Sequence, residues 1–174
     1  MVEGGATAVT TRAVANRASV PVATLYQFFA NRDALLEELF LRVIDLLDEE
    51  IADKLATVDA RTIPEAVEQI FEIHRAHYRA DSGLVSLYYA GRESGRFVEM
   101  RTHRERLADL VHTALLDRGL LRADTDPLVG RVAIELGDRI IELAYRSAPE
   151  GDAAIIAEGK LALIRYLDAY STNR

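Results

Sequence analysis

Apolar residues recur along the chain at helical spacing, and no stretch alternates convincingly as a strand would. The longest run follows Arg32, where Leu35, Leu36, Leu39, Phe40, Val43, Ile44, Leu46, Leu47, Ile51 and Leu55 predict one helix reaching about Val58. Its stripe is broad, which predicts burial against two bodies in succession: the first half would seal what precedes it, the second would enter a larger bundle. Upstream, Thr10 is a good N-cap, and Val14 and Ala15 mark one face of a helix ending near Ala18. Ser19 and Val20 fill a turn, and Pro21 suits the first turn of a second helix, where its missing N–H costs nothing. Leu25 and Phe29, four residues apart, share the inner face of that helix. Asn31 caps the long helix, with Asp33 favourably placed in its first turn.

Downstream, Thr62-Ile63-Pro64-Glu65 reads as a capping box opening a helix whose inner face carries Val67, Ile70, Phe71, His74 and Tyr78. Asp81-Ser82-Gly83 breaks the chain before a short helix with Leu84, Val85, Leu87 and Tyr88, and Glu93-Ser94-Gly95 breaks it again. Arg96 to Arg118 predicts a long helix with Phe97, Met100, Leu107, Leu110, Val111, Ala114 and Leu115 inward, closed by Gly119. Asp126-Pro127 opens a helix to about Arg146, and a last helix covers roughly Ala153 to Tyr170. The pattern is all-α.

Two short helices and a tight turn form the helix-turn-helix shape that reads DNA. The residues are more specific than the shape. Thr10-Thr11-Arg12, Val14-Ala15, Val20, Thr24-Leu25-Tyr26, Phe29, Asn31-Arg32-Asp33 and Leu35, in that order, resemble the DNA-binding domain of the tetracycline-repressor (TetR) family. The resemblance implies a TetR-type DNA-binding domain over residues 1–46 and a helical ligand-binding and dimerisation domain over 47–174, joined by the long helix. It also implies a further helix before the helix-turn-helix. Met1 to Gly5 looks like the tail of that helix, so the expectation is a DNA-binding domain lacking its first helix. Val14, Leu25 and Phe29 would then lose cover on one side, at ~1.5–3 kcal/mol for each large apolar side chain left exposed.

By match to the family motif, Thr10, Thr11 and Arg12 would contact phosphate from the helix before the turn, and Tyr26 and Arg32 would add further phosphate contacts. Val22, Ala23, Thr24 and Gln27 would face the groove. Val22 and Ala23 can pack on thymine methyls, whereas Thr24 and Gln27 can bond polar base edges, glutamine pairing bidentately with adenine. Ser19 stands where the family usually has a turn glycine, and Phe28 where it usually has a Tyr or His that reaches phosphate.

The charge of the 174-residue chain is −7, which at first argues against a nucleic-acid partner. Its distribution changes the picture: residues 1–32 hold Arg12, Arg17 and Arg32 against only Glu3, while the acidic excess lies in segments such as Asp45 to Asp53. Hydrophobic residues make up 49%, enough for a sizeable core. The absence of cysteine excludes disulfides, thiolate metal sites and a cysteine nucleophile. No apolar run is long enough for a membrane span, and the first residues lack a signal-peptide pattern, which together predict a cytoplasmic protein.

In the last two helices, Gly130, Ala133, Gly137, Ile141 and Ala144, and then Ala154, Ala157, Leu161, Ile164 and Leu167, recur at helical spacing. Such stripes serve either packing within one chain or a two-fold interface of two helices from each subunit, and the resemblance favours the homodimer. The resemblance also implies a small-molecule effector bound in the C-terminal domain. Polar candidates for that pocket are His74, Tyr78, Tyr88, Arg104 and Arg139, each of which also has an ordinary reading as a satisfied core residue or a helix-edge ion pair. His74 and His77 lack a third ligand at helical spacing, and there is no HExxH, GxSxG or P-loop, so neither metal, cofactor nor enzymatic activity is expected. Two functions follow: a ligand-responsive regulator, most simply a repressor, binding a palindromic double-stranded DNA operator as a homodimer; or a dimeric helical sensor or interaction protein that has lost DNA binding with its first helix.

Overall fold

A computed structural model of the chain describes residues 10–80, 97–146, 148 and 150–172. Among these, seven helices follow one another: α1 (Thr11–Ala18), α2 (Val22–Phe28), α3 (Arg32–Thr57), α4 (Ile63–Ala80), α5 (Phe97–Asp117), α6 (Leu128–Tyr145) and α7 (Ala153–Asp168). The only β-type pairing among them is an isolated bridge between Leu121 and Ser171. The expected features at residues 1–9 and the short helix carrying Leu84 to Tyr88 lie outside the described residues.

Helix ends follow the chemistry of their caps. Asn31 Oδ1 accepts from Ala34 N at 2.9 Å, opening α3. At α4, Glu65 N donates to Thr62 Oγ1 at 3.3 Å, the forward half of a capping box. The return bond reaches one residue further than the motif requires: Glu65 Oε2 accepts from Arg61 N at 2.8 Å. Asp126 Oδ1 accepts from Leu128 N at 2.8 Å, so it caps α6 across Pro127. Asp152 Oδ1 accepts from both Ala154 N and Ile155 N to start α7. Gly119, at φ +65°, ends α5 with paired bonds from Gly119 N to Leu116 O and Leu120 N to Leu115 O, the Schellman pattern.

Helix α6 packs on both α5 and α7, α7 packs on α4, and α3 lies against α5 and α4. Ile51, Leu55, Val67, Phe71, Leu107, Val111, Leu115, Val129, Ile134, Ile141, Ile156, Leu163 and Leu167 belong to one buried cluster among these five helices. Ala15, Leu35 and Leu36 are buried outside it, where α1 and α2 pack together and α3 begins. The second half of α3 therefore enters the bundle as expected. Leu110, expected inward, is exposed. The buried face of α5 is centred on Arg104, Val111 and Leu115, and Leu110 lies about 120° round the helix from it.

Gly130, Ala133 and Ala144 of α6 are buried within the chain itself. Gly130 is buried against α5, where an added Cβ would stand 2.7 Å from His112 Cβ and 3.1 Å from Ala108 O. Ala133 and Ile141 are likewise buried within the bundle. Replacing Gly130 with Ala should therefore cost ~1–3 kcal/mol of stability through overpacking. At Gly137 the nearest atom to an added Cβ is 3.8 Å away, so Gly137→Ala should be tolerated, with a gain of up to ~1 kcal/mol from helix propensity. Urea unfolding of the two variants checks this pair.

Candidate nucleic-acid interface

The reading unit is assembled by short-range bonds. Thr10 has an extended backbone, and its Oγ1 accepts from Ala13 N at 3.1 Å. Helix α1 then closes on Ser19, whose φ of 56° and ψ of 38° place it in the left-handed region, the only non-glycine there among the described residues. Ser19 N donates to Asn16 O and Val20 N to Ala15 O, so this turn has the same bonding as the one at Gly119. Pro21, at φ −59° and ψ 141°, redirects the chain, and Thr24 N donates to Pro21 O at 2.9 Å. Ala15, fully buried, lets α1 and α2 approach closely.

Helix α2 has no fully buried residue. Leu25 and Phe29 are half-buried, as is Val14 across from them, while Ala23, Tyr26, Gln27 and Phe28 are exposed. Ala23 and Gln27 stand four residues apart and share one exposed face. Val22 and Thr24 are half-buried beside that face. The hydroxyls of Thr11 and Tyr26 lie 3.4 Å apart. Two groups expected to touch phosphate are thus brought together from successive helices. Thr10 and Arg12 are exposed at the start of α1. Arg32, at the start of α3, lies 3.7 Å from the Asp33 carboxylate, a loose and solvent-facing pair. Such an array of hydroxyls and guanidinia beside an exposed helix face can hold phosphates and present short side chains to base edges.

Of the candidate pocket residues, Arg104 and Arg139 have described side chains, and they pair with different carboxylates. Arg104 is nearly buried and spans α5 and α6, with Nε 2.9 Å from Glu135 Oε1 and Nη1 3.5 Å from Asp138 Oδ2. Arg139 is on the surface, paired with Glu142 at 2.6 Å. His74 and Tyr78 belong to α4, but their side chains lie outside the described part, and Tyr88 lies outside it altogether. An open groove of about 440 Å³ runs instead between α4 and α7, lined by residues including Glu68, Arg75, Ile156, Lys160 and Ile164. Lys160 Nζ bonds Glu68 Oε1 at 2.7 Å and stands 5.7 Å from the Phe71 ring centre. Burial disfavours the Arg75 charge, but hydrogen bonds to Tyr145 and Glu72 outweigh it and hold its pKa above the ordinary arginine value.

Of the expected interface positions, Gly130, Ala133 and Ile141 are buried in the chain's own core. Ala154, Ala157 and Leu161 are exposed on α7, and Gly137 and Ile164 are half-buried. The spacing of small residues does not point to Leu136 and Leu143, two exposed leucines seven residues apart on α6.

Family models of bacterial regulatory proteins, tetR family, and of the tetracyclin repressor-like C-terminal domain match residues 1–39 and 62–167 of the chain. The chain belongs to the TetR family. It is similar to the crystal structure of a TetR-family transcriptional regulator from Streptomyces coelicolor, at 29% identity over 94% of this chain and 88% of that one, with a TM-score of 0.68. It shares its fold with the ketosteroid transcriptional regulator KstR2 of Mycobacterium tuberculosis, at 20% identity, 98% and 89% coverage and a TM-score of 0.55. A structure described as the molecular basis for control of antibiotic production by bacterial hormones has the same fold, at 14% identity, 97% and 90% coverage and a TM-score of 0.64. No curated protein sequence matches the chain. TetR-family proteins are transcription factors rather than enzymes. No helix among the described residues is long and apolar enough to cross a membrane.

The left-handed Ser19 is the strained point of this TetR-type reading unit. An L-residue pays ~1–2 kcal/mol there, and glycine gives back part of that in unfolded-state entropy. Ser19→Gly should raise the stability of the α1–α2 unit by up to ~1 kcal/mol. Hydrogen exchange at Ala15 to Val20 would register it as slower opening.

Proposed function

We propose that this TetR-family regulator is a ligand-responsive repressor that binds a palindromic operator as a homodimer. The observation that carries the reading is the α1–α2 unit itself. Its apolar side, Leu25 and Phe29, is turned inward, and the opposite face offers Ala23 and Gln27 flanked by Thr11, Tyr26 and Arg32. Val22 and Thr24 sit at the margin of the base-reading face, and Thr10 and Arg12 bind phosphate beside Thr11. The boundary between DNA-binding and effector-binding domains falls near residue 46, inside α3. Support for it comes from Leu35 and Leu36 being buried apart from the cluster that holds Ile51 and Leu55.

The dimer forms through α6 and α7. Exposed Leu136, Leu143 and Leu161, with Ala154, Ala157, Gly137 and Ile164 between them, supply an apolar surface that lets a partner helix come close. Two-fold symmetry would then present two copies of α2 to successive half-sites of a palindrome. The effector acts on the C-terminal body by favouring one of two conformations, which requires that it bind them with different affinity. The protein works in the cytoplasm, where its DNA is.

Fluorescence anisotropy on DNA from upstream of its own gene, across a salt series, tests the reading. Specific binding should weaken steeply as salt rises, since phosphate contacts release counterions. Tyr26→Phe should lose one hydrogen bond, ~1 kcal/mol or about fivefold in affinity. Arg32→Ala should weaken binding to every sequence alike and flatten the salt slope by about 1 for each phosphate left without its cation. Weak binding that ignores sequence would refute the regulator and favour a sensor without DNA-reading activity. Leu143→Glu should convert the dimer to monomers in sedimentation, and a wild-type protein that is already monomeric at micromolar concentration removes the dimer.

A further inference from the structure

Arg118, the first residue after α5, closes the ends of two helices at once. Its Nη1 donates to Ala114 O at 2.9 Å, in the last turn of its own helix. Its Nη2 donates to Leu55 O at 2.8 Å and its Nε to Val58 O at 2.9 Å, at the end of α3 about 60 residues earlier in the chain. The last carbonyls of a helix have no partner within it and carry the negative end of its dipole. A guanidinium answers both needs, and its planar fork can hold three carbonyls in one fixed arrangement where an ammonium group cannot. Thr57 Oγ1 donates to Lys54 O at 2.8 Å, so the far end of α3 is bonded on several sides.

The geometry points to Arg118 as the residue that sets the angle of the reading unit. Helix α3 has 26 residues, and its first turns, where Leu35 and Leu36 are buried outside the bundle's cluster, follow directly on α2 along the chain. At 1.5 Å per residue it is a rod of about 39 Å, and a tilt of about 5° at the Arg118 end moves the other end by about 3.4 Å, one base-pair rise. In the bundle, α3 is also held by the packing of Ile51 and Leu55; two Arg118 hydrogen bonds, to Leu55 O and Val58 O, add directional ties at its end, and the third, to Ala114 O, anchors the guanidinium to α5. Arg118 is therefore a positioning residue for operator binding, remote from the DNA. Its part in operator binding rests on the regulator reading above, while the orientation of α3 does not.

The chain contains no cysteine, so Arg17→Cys on α1 and Asp109→Cys on α5 give two clean label positions. Spin-label distances within one chain, measured after dilution with unlabelled protein, should form one narrow distribution in the parent. Arg118→Met should shift or broaden it, and Arg118→Lys, which keeps the charge but not the fork, should do so partly. Arg118→Gln serves if the Met variant does not fold. A distribution that superimposes on the parent's, even with a lower melting temperature, makes Arg118 a stabilising cap only and overturns the inference. On operators whose half-sites are moved apart by one base pair, the parent should discriminate sharply and Arg118→Met several-fold less. Equal discrimination by both also overturns it. A parent that binds no DNA specifically refutes the regulator reading, and the distance measurement still decides the role of Arg118.

Discussion

Helix α3 has to satisfy two apolar clusters at once, and the organisation of the molecule follows from that constraint. Leu35 and Leu36 are buried at the end that follows the reading unit, outside the bundle's cluster; Ile51 and Leu55 are buried in the bundle. Between them the helix presents Glu38, Arg42, Asp45, Leu46 and Glu49 to partial or full solvent. An unbroken helix needs no partner along its middle, because its backbone bonds are internal. It can therefore join two bodies without the flexible linker that would let them move independently. The direction of the reading unit is consequently decided by whatever fixes α3 within the bundle.

The reading unit depends little on burial. None of α2 is fully buried, and its position comes from backbone bonds around Ser19, the fixed φ of Pro21 and the close approach allowed by Ala15. This leaves most of the α2 surface for recognition. It also explains how an acidic chain can meet a polyanion: Arg12, Arg17 and Arg32 are gathered around the first two helices with Asp33 beside them, and the other carboxylates of α3 and beyond lie further along.

Much of this is legible in the sequence because its causes are local. A cap, a left-handed turn or an apolar stripe is written within a few residues, so Thr10, Asn31, Gly119 and Asp126, and the long helix after Arg32, can be read directly. The order of residues from Thr10 to Leu35 carries the family. Glu65 shows the limit of local reading: the motif is plain in the sequence, but its carboxylate bonds Arg61 rather than Thr62. The small residues of α6 are ambiguous in principle. A glycine permits close approach without saying whose backbone approaches, and Gly130 receives His112 of its own chain. Arg104 and Arg139 look alike as cations on helices, yet one bridges α5 and α6 and the other pairs at the surface. The role of Arg118 is invisible in the sequence because two of its partners, Leu55 and Val58, stand about 60 residues away.

The corner that holds Arg118 is also where the chain's last described residues are fastened. Arg122 N donates to Tyr170 O and Thr172 N to Leu120 O, either side of the Leu121–Ser171 bridge. Thr172 Oγ1 donates to Gly119 O at 2.6 Å, and the Arg122 guanidinium holds Ala169 O and lies 5.9 Å from the Tyr170 ring centre. The tail after α7 is thus a suture across the α5–α6 corner. Clipping the protein at Asp168, or pulling on an affinity tag fused after Arg174, would loosen a joint near the far end of α3 and disturb a surface that neither cut nor tag ever touches.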